Sequence, residues 1–303
     1  MAAISELDKA HRRYWIEEIA RIGRNFGDES ERLERELSDE IDTKGVLRLV
    51  NHLRLAGDIP ESYGHDTSEE KQYSKYTDAV ISKSFKCLGL RSLVLKERAD
   101  AADVEAFGRD FSLVADAKAF RLSRTAKNQK DFKVLAMDGW RRGKDYAVVV
   151  CPIHQLPTKS SQIYQQATGR DVCILTYSHL AVVVRFAAAH GVENGEALLK
   201  AILGAVSLIN PSKDSVAYWT SINRSMLEFH AAIADLWLSE KAAAVEAIEV
   251  AKQFALDFLS AERERIVRLT HEEAIRHLLE VHKVESRMAV IRRVASSRIM
   301  DLG

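Results

Sequence analysis

Apolar residues recur at helical spacing through residues 4–55. Leu7, Tyr14, Ile16, Ile19 and Ile22 come first, then Leu33, Leu37 and Ile41, then Val46, Leu49, Val50 and Leu53. Intervals of three and four place side chains on one face of an α-helix. Gly57 and Pro60 end this region, and 62–74 is a polar connection. A further helix is predicted over 75–88, with Tyr76, Val80, Ile81 and Phe85 inward and Gly89 as its stop.

The period then shortens. Asp103 to Phe107, Gly108 to Asp110 and Phe111 to Phe120 read as strand, turn and longer strand, a β-hairpin. Residues 132–141 look helical. Tyr146 to Cys151 and Val172 to Tyr177 are continuous apolar runs of the kind buried on both faces of a sheet. Helices over 158–167 and 180–190 follow the two runs in turn. Strand, helix, strand, helix implies a parallel unit beside the hairpin, so the fold class is α/β, a mixed central sheet flanked by helices. From about Ser215 onward the chain is rich in strong helix formers, and Thr270 to Glu273 has the form of a capping box. Three regions are expected: an N-terminal helical region over 1–74 packed on the core, a core over 75–195, and a C-terminal helical region over 196–303.

Charge changes this picture only locally. Lys+Arg and Asp+Glu both number 44, so the formal net charge is zero and no global basic excess marks a polyanion binder. Within 114–133, however, Lys118, Arg121, Arg124, Lys127, Lys130 and Lys133 fall at every third position. Local patches of this kind govern phosphate binding more than the total does. Cys87, Cys151 and Cys173 are widely spaced, form no Cys/His cluster, and read as structural thiols. No stretch approaches the ~18 apolar residues of a membrane span, so a reducing cytoplasm is the expected location.

The chemistry concentrates where the hairpin meets the basic run. Asp116 and Lys118 lie two apart on a strand and share a face, because side chains alternate with period 2. Asp103 sits 13 residues earlier, on the adjacent arm. Two carboxylates supply hard oxygen ligands for Mg²⁺, which polarises a phosphate and activates water; a lysine orients the nucleophile and stabilises developing charge. The plain alternative is a salt bridge at a strand end, a common pair contributing only ~0–1 kcal/mol. His154 reads as a loop histidine rather than a base, and Trp219 and Trp237 as core.

The spacing of Asp103, Asp116 and Lys118 resembles the PD-(D/E)XK nuclease core. The block LVADAKAFRLSRTAKNQKDFKV, from Leu113 to Val134, closely resembles the HindIII-type restriction endonucleases, and similarity continues through Trp140, 144–147 and 161–163. The strong resemblance spans roughly 95–165 and returns at 270–275. It implies a homodimeric, Mg²⁺-dependent type II restriction endonuclease cutting double-stranded DNA at AAGCTT after the first A. Such an enzyme belongs to a restriction-modification system with a cognate DNA methyltransferase. Asp116 and Lys118 fall on the family's catalytic Asp-X-Lys, Asp103 and Glu97 on upstream acids assigned to catalysis and metal binding, and Asp131 on a further acid needed for cleavage. Major-groove readout uses Asn or Gln for adenine, Arg or Lys for guanine and Asp or Glu for cytosine. The DNA-binding segment from Arg124 to Asp131 contains each of these types; base reading is expected of some of Ala126, Lys127, Asn128, Gln129 and Asp131, while Arg121, Lys130 and Lys133 suit phosphates. Two other readings stay open: a nuclease of the same superfamily with another specificity or duty, and a cleavage-dead DNA-binding protein.

Overall fold

The computed structural model describes residues 3–21, 25–95, 101–124 and 129–294. Four helices precede the sheet: α1 (Glu6–Ala20), α2 (Phe26–Lys44), α3 (Val46–Leu55) and α4 (Ser68–Cys87). Gly45, at φ +84°, makes the turn between α2 and α3, a conformation that suits a residue without Cβ. The inward face of α1 is partly polar: Asp8 and Arg12 are buried with Trp15 and Ile19, whereas Leu7 and Tyr14 face solvent. Arg12 donates to the backbone carbonyls of Leu55 and Asp58, and Asn51 donates to Asp8 at 2.6 Å, so both buried charges have hydrogen-bond partners.

Helix α4 begins seven residues earlier than the apolar spacing predicts. Thr67 caps it, its hydroxyl accepting from the Glu70 backbone amide at 3.4 Å, which draws the polar 68–74 segment into the helix. From Tyr76 to Ser82 every residue of α4 is buried. The helix therefore crosses the interior, and one of its interior positions is Asp78.

Five strands among the described residues form one sheet in sequence order: β1 (Arg91–Val94), β2 (Val104–Phe107), β3 (Ser112–Ala117), β4 (Tyr146–Cys151) and β5 (Val172–Thr176). β1, β2 and β3 pair antiparallel; β3, β4 and β5 pair parallel. The mixed α/β sheet expected from the sequence is thus present. β1 was not foreseen, because its buried side chain is Ser92 and Leu93 points outward, inverting the usual alternation. The expected strand to Phe120 stops at Ala117; beyond it the Lys118 amide donates to the Val150 carbonyl at 2.7 Å and Phe120 bridges to Asp58.

The crossovers are α5 (Val134–Trp140) and α6 (Gln162–Gly169), followed by α7 (Tyr177–His190), α8 (Val192–Ala205), α9 (Ser215–Leu227) and the long α10 (Ile233–Val267). Thr176 caps α7, accepting from the His179 amide at 3.2 Å. Cys151 and Cys173 are buried free thiols in β4 and β5. The chain divides into two compact units, Met1–Ala255 and Leu256–Gly303. The stretches 1–74 and 75–195 lie in the first; the boundary falls inside the C-terminal helical region. The second unit holds the end of α10, then α11 (His271–Val281) and α12 (Val284–Arg292). Thr270 and Glu273 form the capping box foreseen for α11. No described helix is long and apolar enough to cross a membrane.

Candidate active site

Asp116 sits one residue from the end of β3, in register with Val149 of the parallel neighbour β4. On a strand that has neighbours on both sides, it is 1% exposed. Asp103 immediately precedes β2, whose first residue, Val104, pairs with Ala115, so the hairpin brings the two carboxylates to the same end of adjacent strands. A third acid joins them from the helical layer. Asp78 of α4 is buried, and its Oδ1 accepts from the Ala117 backbone amide at 3.4 Å. One carboxylate oxygen each from Asp78, Asp103 and Asp116 lies within 4.8 Å of the others.

Three carboxylates at this spacing repel one another. Burial, then Asp103 and Asp116, push the Asp78 carboxyl well above the ordinary aspartate range. Three lysines partly offset this. Lys118 binds Asp116 directly through Nζ. Lys75 Nζ lies 2.9 Å from Asp103 and 3.9 Å from Asp78, and Lys133 Nζ lies 4.0 Å from Asp116. Lys118 is held from both sides of its backbone, its amide by Val150 and its carbonyl by the Tyr177 hydroxyl at 3.0 Å. The donors are hard oxygens converging on one point, a set suited to a divalent cation of the Mg²⁺ kind.

Of the residues expected at the site, Asp103, Asp116 and Lys118 come together. Asp131, in the turn over Gln129–Phe132, is ion-paired with Arg124 at 2.5 Å rather than in the acid cluster. Arg124 also stacks over the Phe120 ring at 5.0 Å. Arg121 is turned inward: it donates to Glu70 at 2.9 Å and to the Tyr63 and Gly64 carbonyls, clamping the segment before α4. Lys133 starts α5 in a left-handed conformation, with its ammonium 5.2 Å from the centre of the Trp140 ring. Glu97, Ala126, Lys127 and Asn128 lie outside the described residues, as do the side chains of Gln129 and Lys130. His154 Nε2 lies 2.8 Å from Asp58 Oδ1.

Asp78 is the residue that sequence reasoning missed. Its signal was present: the run from Tyr76 to Ser82 carries no charge but this one, and a helix without a polar face is an interior helix. A carboxylate placed there is buried by construction.

A mixed sheet whose central strands present clustered acids and a lysine at one edge defines the PD-(D/E)XK class of nuclease fold. Comparison with known families is narrower. The chain belongs to the HindIII restriction endonuclease family, whose model matches residues 12–295. It is also 46% identical over 142 residues to the type II restriction enzyme HindIII of Haemophilus influenzae strain Rd, an alignment covering 46% of each chain. The chain thus spans about half the length of that curated relative at this level of similarity. The family match reaches well beyond 95–165 and takes in most of both helical regions.

Proposed function

We propose that this chain is a type II site-specific deoxyribonuclease that cuts double-stranded DNA at AAGCTT as a homodimer, with Mg²⁺ as cofactor. The observation that carries this reading is the convergence of Asp78, Asp103 and Asp116 on one point with Lys118 against Asp116.

When bound, Mg²⁺ would polarise the scissile phosphate and lower the pKa of a coordinated water. Asp116 and Asp103 would supply its oxygen ligands, with Asp78 the third carboxylate in reach. Lys118 holds its ammonium at the acid cluster, ready to orient the attacking water and to face the negative charge that develops on phosphorus oxygens. Lys133 adds positive charge on the same side. The Arg124–Asp131 pair fixes one end of the basic run, which supports a role for 124–131 in base reading. Arg121 serves that role indirectly, by holding the segment in place. The specificity rests on the resemblance of the 113–134 block, and a cognate methyltransferase would protect host DNA at the same site.

Digestion of a fully sequenced plasmid with Mg²⁺, with an EDTA control, followed by sequencing of the ends, tests all of this. Ends at A/AGCTT are expected. Discrete ends elsewhere would keep the nuclease and refute the specificity; no cutting with intact specific binding would make the chain a DNA-binding relative. Asp116→Ala and Lys118→Ala should each lower cleavage by at least ~10²–10³-fold while specific binding survives. Cutting at the wild-type rate by either variant would remove that residue from the site.

A further inference from the structure

The acid cluster is not closed equally on all sides. The side chains of Asp78 and Asp116 are 3% and 2% exposed, whereas that of Asp103 is 30% exposed. Of the three, Asp103 is the one that meets solvent, so the approach open to a cation lies on its side. Lys75 stands there. Its Nζ donates to Asp103 Oδ1 at 2.9 Å and lies 3.9 Å from Asp78 Oδ2, so one ammonium faces two of the three acids. Lys75 precedes Asp78 by three residues on α4, about one turn, which puts both on the same face of the helix.

The lysines around the cluster are not equivalent. Lys118 pairs with Asp116, and its backbone is fixed through both amide and carbonyl. Lys133 reaches Asp116 from farther off, with its ammonium over the Trp140 ring. Among the described residues, only Lys75 pairs with Asp103. Its side chain is partly exposed, and a lysine carries its charge on a flexible four-carbon stem, so the ammonium can swing aside without disturbing α4. We propose, resting on the cation site put forward above, that Lys75 is a resident counter-ion. Its ammonium neutralises the open side of the cluster in the metal-free protein and gives up that position to the divalent cation. Lys75 is thus a positioning residue that sets how tightly the metal is held.

A counter-ion and a plain salt bridge behave differently when the charge is removed. A salt bridge stabilises the fold with or without metal. A counter-ion favours the metal-free state alone, because its charge repels a divalent ion placed a few ångströms away. Protons, with half the charge, offset that repulsion only in part. Without the ammonium the three carboxylates are less compensated, so metal-free stability falls while metal affinity rises.

Lys75→Met keeps most of the stem and removes the charge; Lys75→Arg keeps the charge. Urea melts of the full-length chain without DNA, in EDTA and at a series of Mg²⁺ concentrations, give the metal-free stability and the Mg²⁺ dissociation constant. Lys75→Met should unfold at lower urea than the wild type in EDTA, yet bind Mg²⁺ at least about tenfold more tightly. Lys75→Arg should follow the wild type in both. Lys83→Met, which breaks an ion pair of the same helix with Asp42 at 2.7 Å, should leave the Mg²⁺ dissociation constant unchanged. If Lys75→Met binds Mg²⁺ no more tightly than the wild type, Lys75 is an ordinary salt bridge; the inference falls and the cation site stands. An equal gain in Lys83→Met would make the effect one of net charge and overturn the inference as well. A wild type whose melt is indifferent to Mg²⁺ refutes the cation site itself, and the counter-ion with it.

Discussion

Asp78 sits two residues after Tyr76 and two before Val80, inside the stretch of α4 from Tyr76 to Ser82 in which every residue is buried. Burial and two neighbouring carboxylates keep it reluctant to ionise, a cost to the metal-free fold that the proposed cation site would offset. Replacing it with asparagine keeps its shape and its acceptor for the Ala117 amide but removes the charge. Asp78→Asn should therefore stabilise the metal-free protein by about 0.5–2 kcal/mol, the usual gain when a functional strain is relieved. It should also cut Mg²⁺-dependent cleavage by at least ~10²-fold and shrink the rise in melting temperature that Mg²⁺ produces. Thermal melts with and without Mg²⁺, beside a cleavage assay, decide the matter; unchanged cleavage would leave Asp78 a structural residue. Residue by residue, the site was half legible. Asp103, Asp116 and Lys118 could be read because strand alternation and a hairpin bring near neighbours in sequence together. Asp78 could not, because its arrival depends on how a helix 25 or more residues away crosses the sheet, and no local period encodes that.

At the scale of elements, the strands were legible wherever their buried faces were apolar. Tyr146–Cys151 and Val172–Thr176 announce themselves, whereas β1 hides because Ser92 fills its inward position, its hydroxyl 2.9 Å from that of Ser82 on α4. Helix ends were legible when a cap was sought: Thr270 was read, Thr67 was passed over although it has the same form. What no periodicity reveals is how α10 is tethered. Glu240, wholly buried on α10, receives two hydrogen bonds from Arg54 of α3 at 2.6 and 2.9 Å and one from Arg185 of α7 at 2.5 Å. Removing one member of such a group leaves the others charged and desolvated, a loss of roughly 3–5 kcal/mol. Glu240→Ala should therefore destabilise the protein by that amount in urea melts, an order more than the ~0.5 kcal/mol typical of surface changes. A loss under about 1 kcal/mol would mean that water reaches the arginines readily and that the triad does not fasten α10 to α3 and α7.

For the molecule as a whole, the same buried groups set how stability varies with pH. His179 is buried between Trp219 and Trp237, with Nε2 at 2.8 Å from Asn223 Oδ1, and burial brings its pKa down to about 4. His52, buried beside Glu40, is likewise brought down to about 4, burial outweighing the carboxylate. A histidine whose folded pKa lies below its unfolded value binds its proton more readily when unfolded. Its contribution is complete above about pH 6.5 and falls away as pH drops towards 4, by about 1.4 kcal/mol per pH unit for each group. Asp78 acts in the opposite direction. Its raised pKa favours the folded state at low pH, and that advantage is lost as pH rises through its folded pKa. Two histidines against one aspartate leave the metal-free protein losing stability on acidification below pH 6.5. The three groups can be separated by substitution. His179→Gln removes one proton from the balance and should flatten the slope of unfolding free energy between pH 4.5 and 6.5 by about 1.4 kcal/mol per unit. Asp78→Asn removes the opposing group and should steepen it. Urea melts at several pH values in EDTA measure all three slopes. If His179→Gln runs parallel to the wild type, the histidine is titrating normally and the joint between α7, α9 and α10 is wetter than its burial implies.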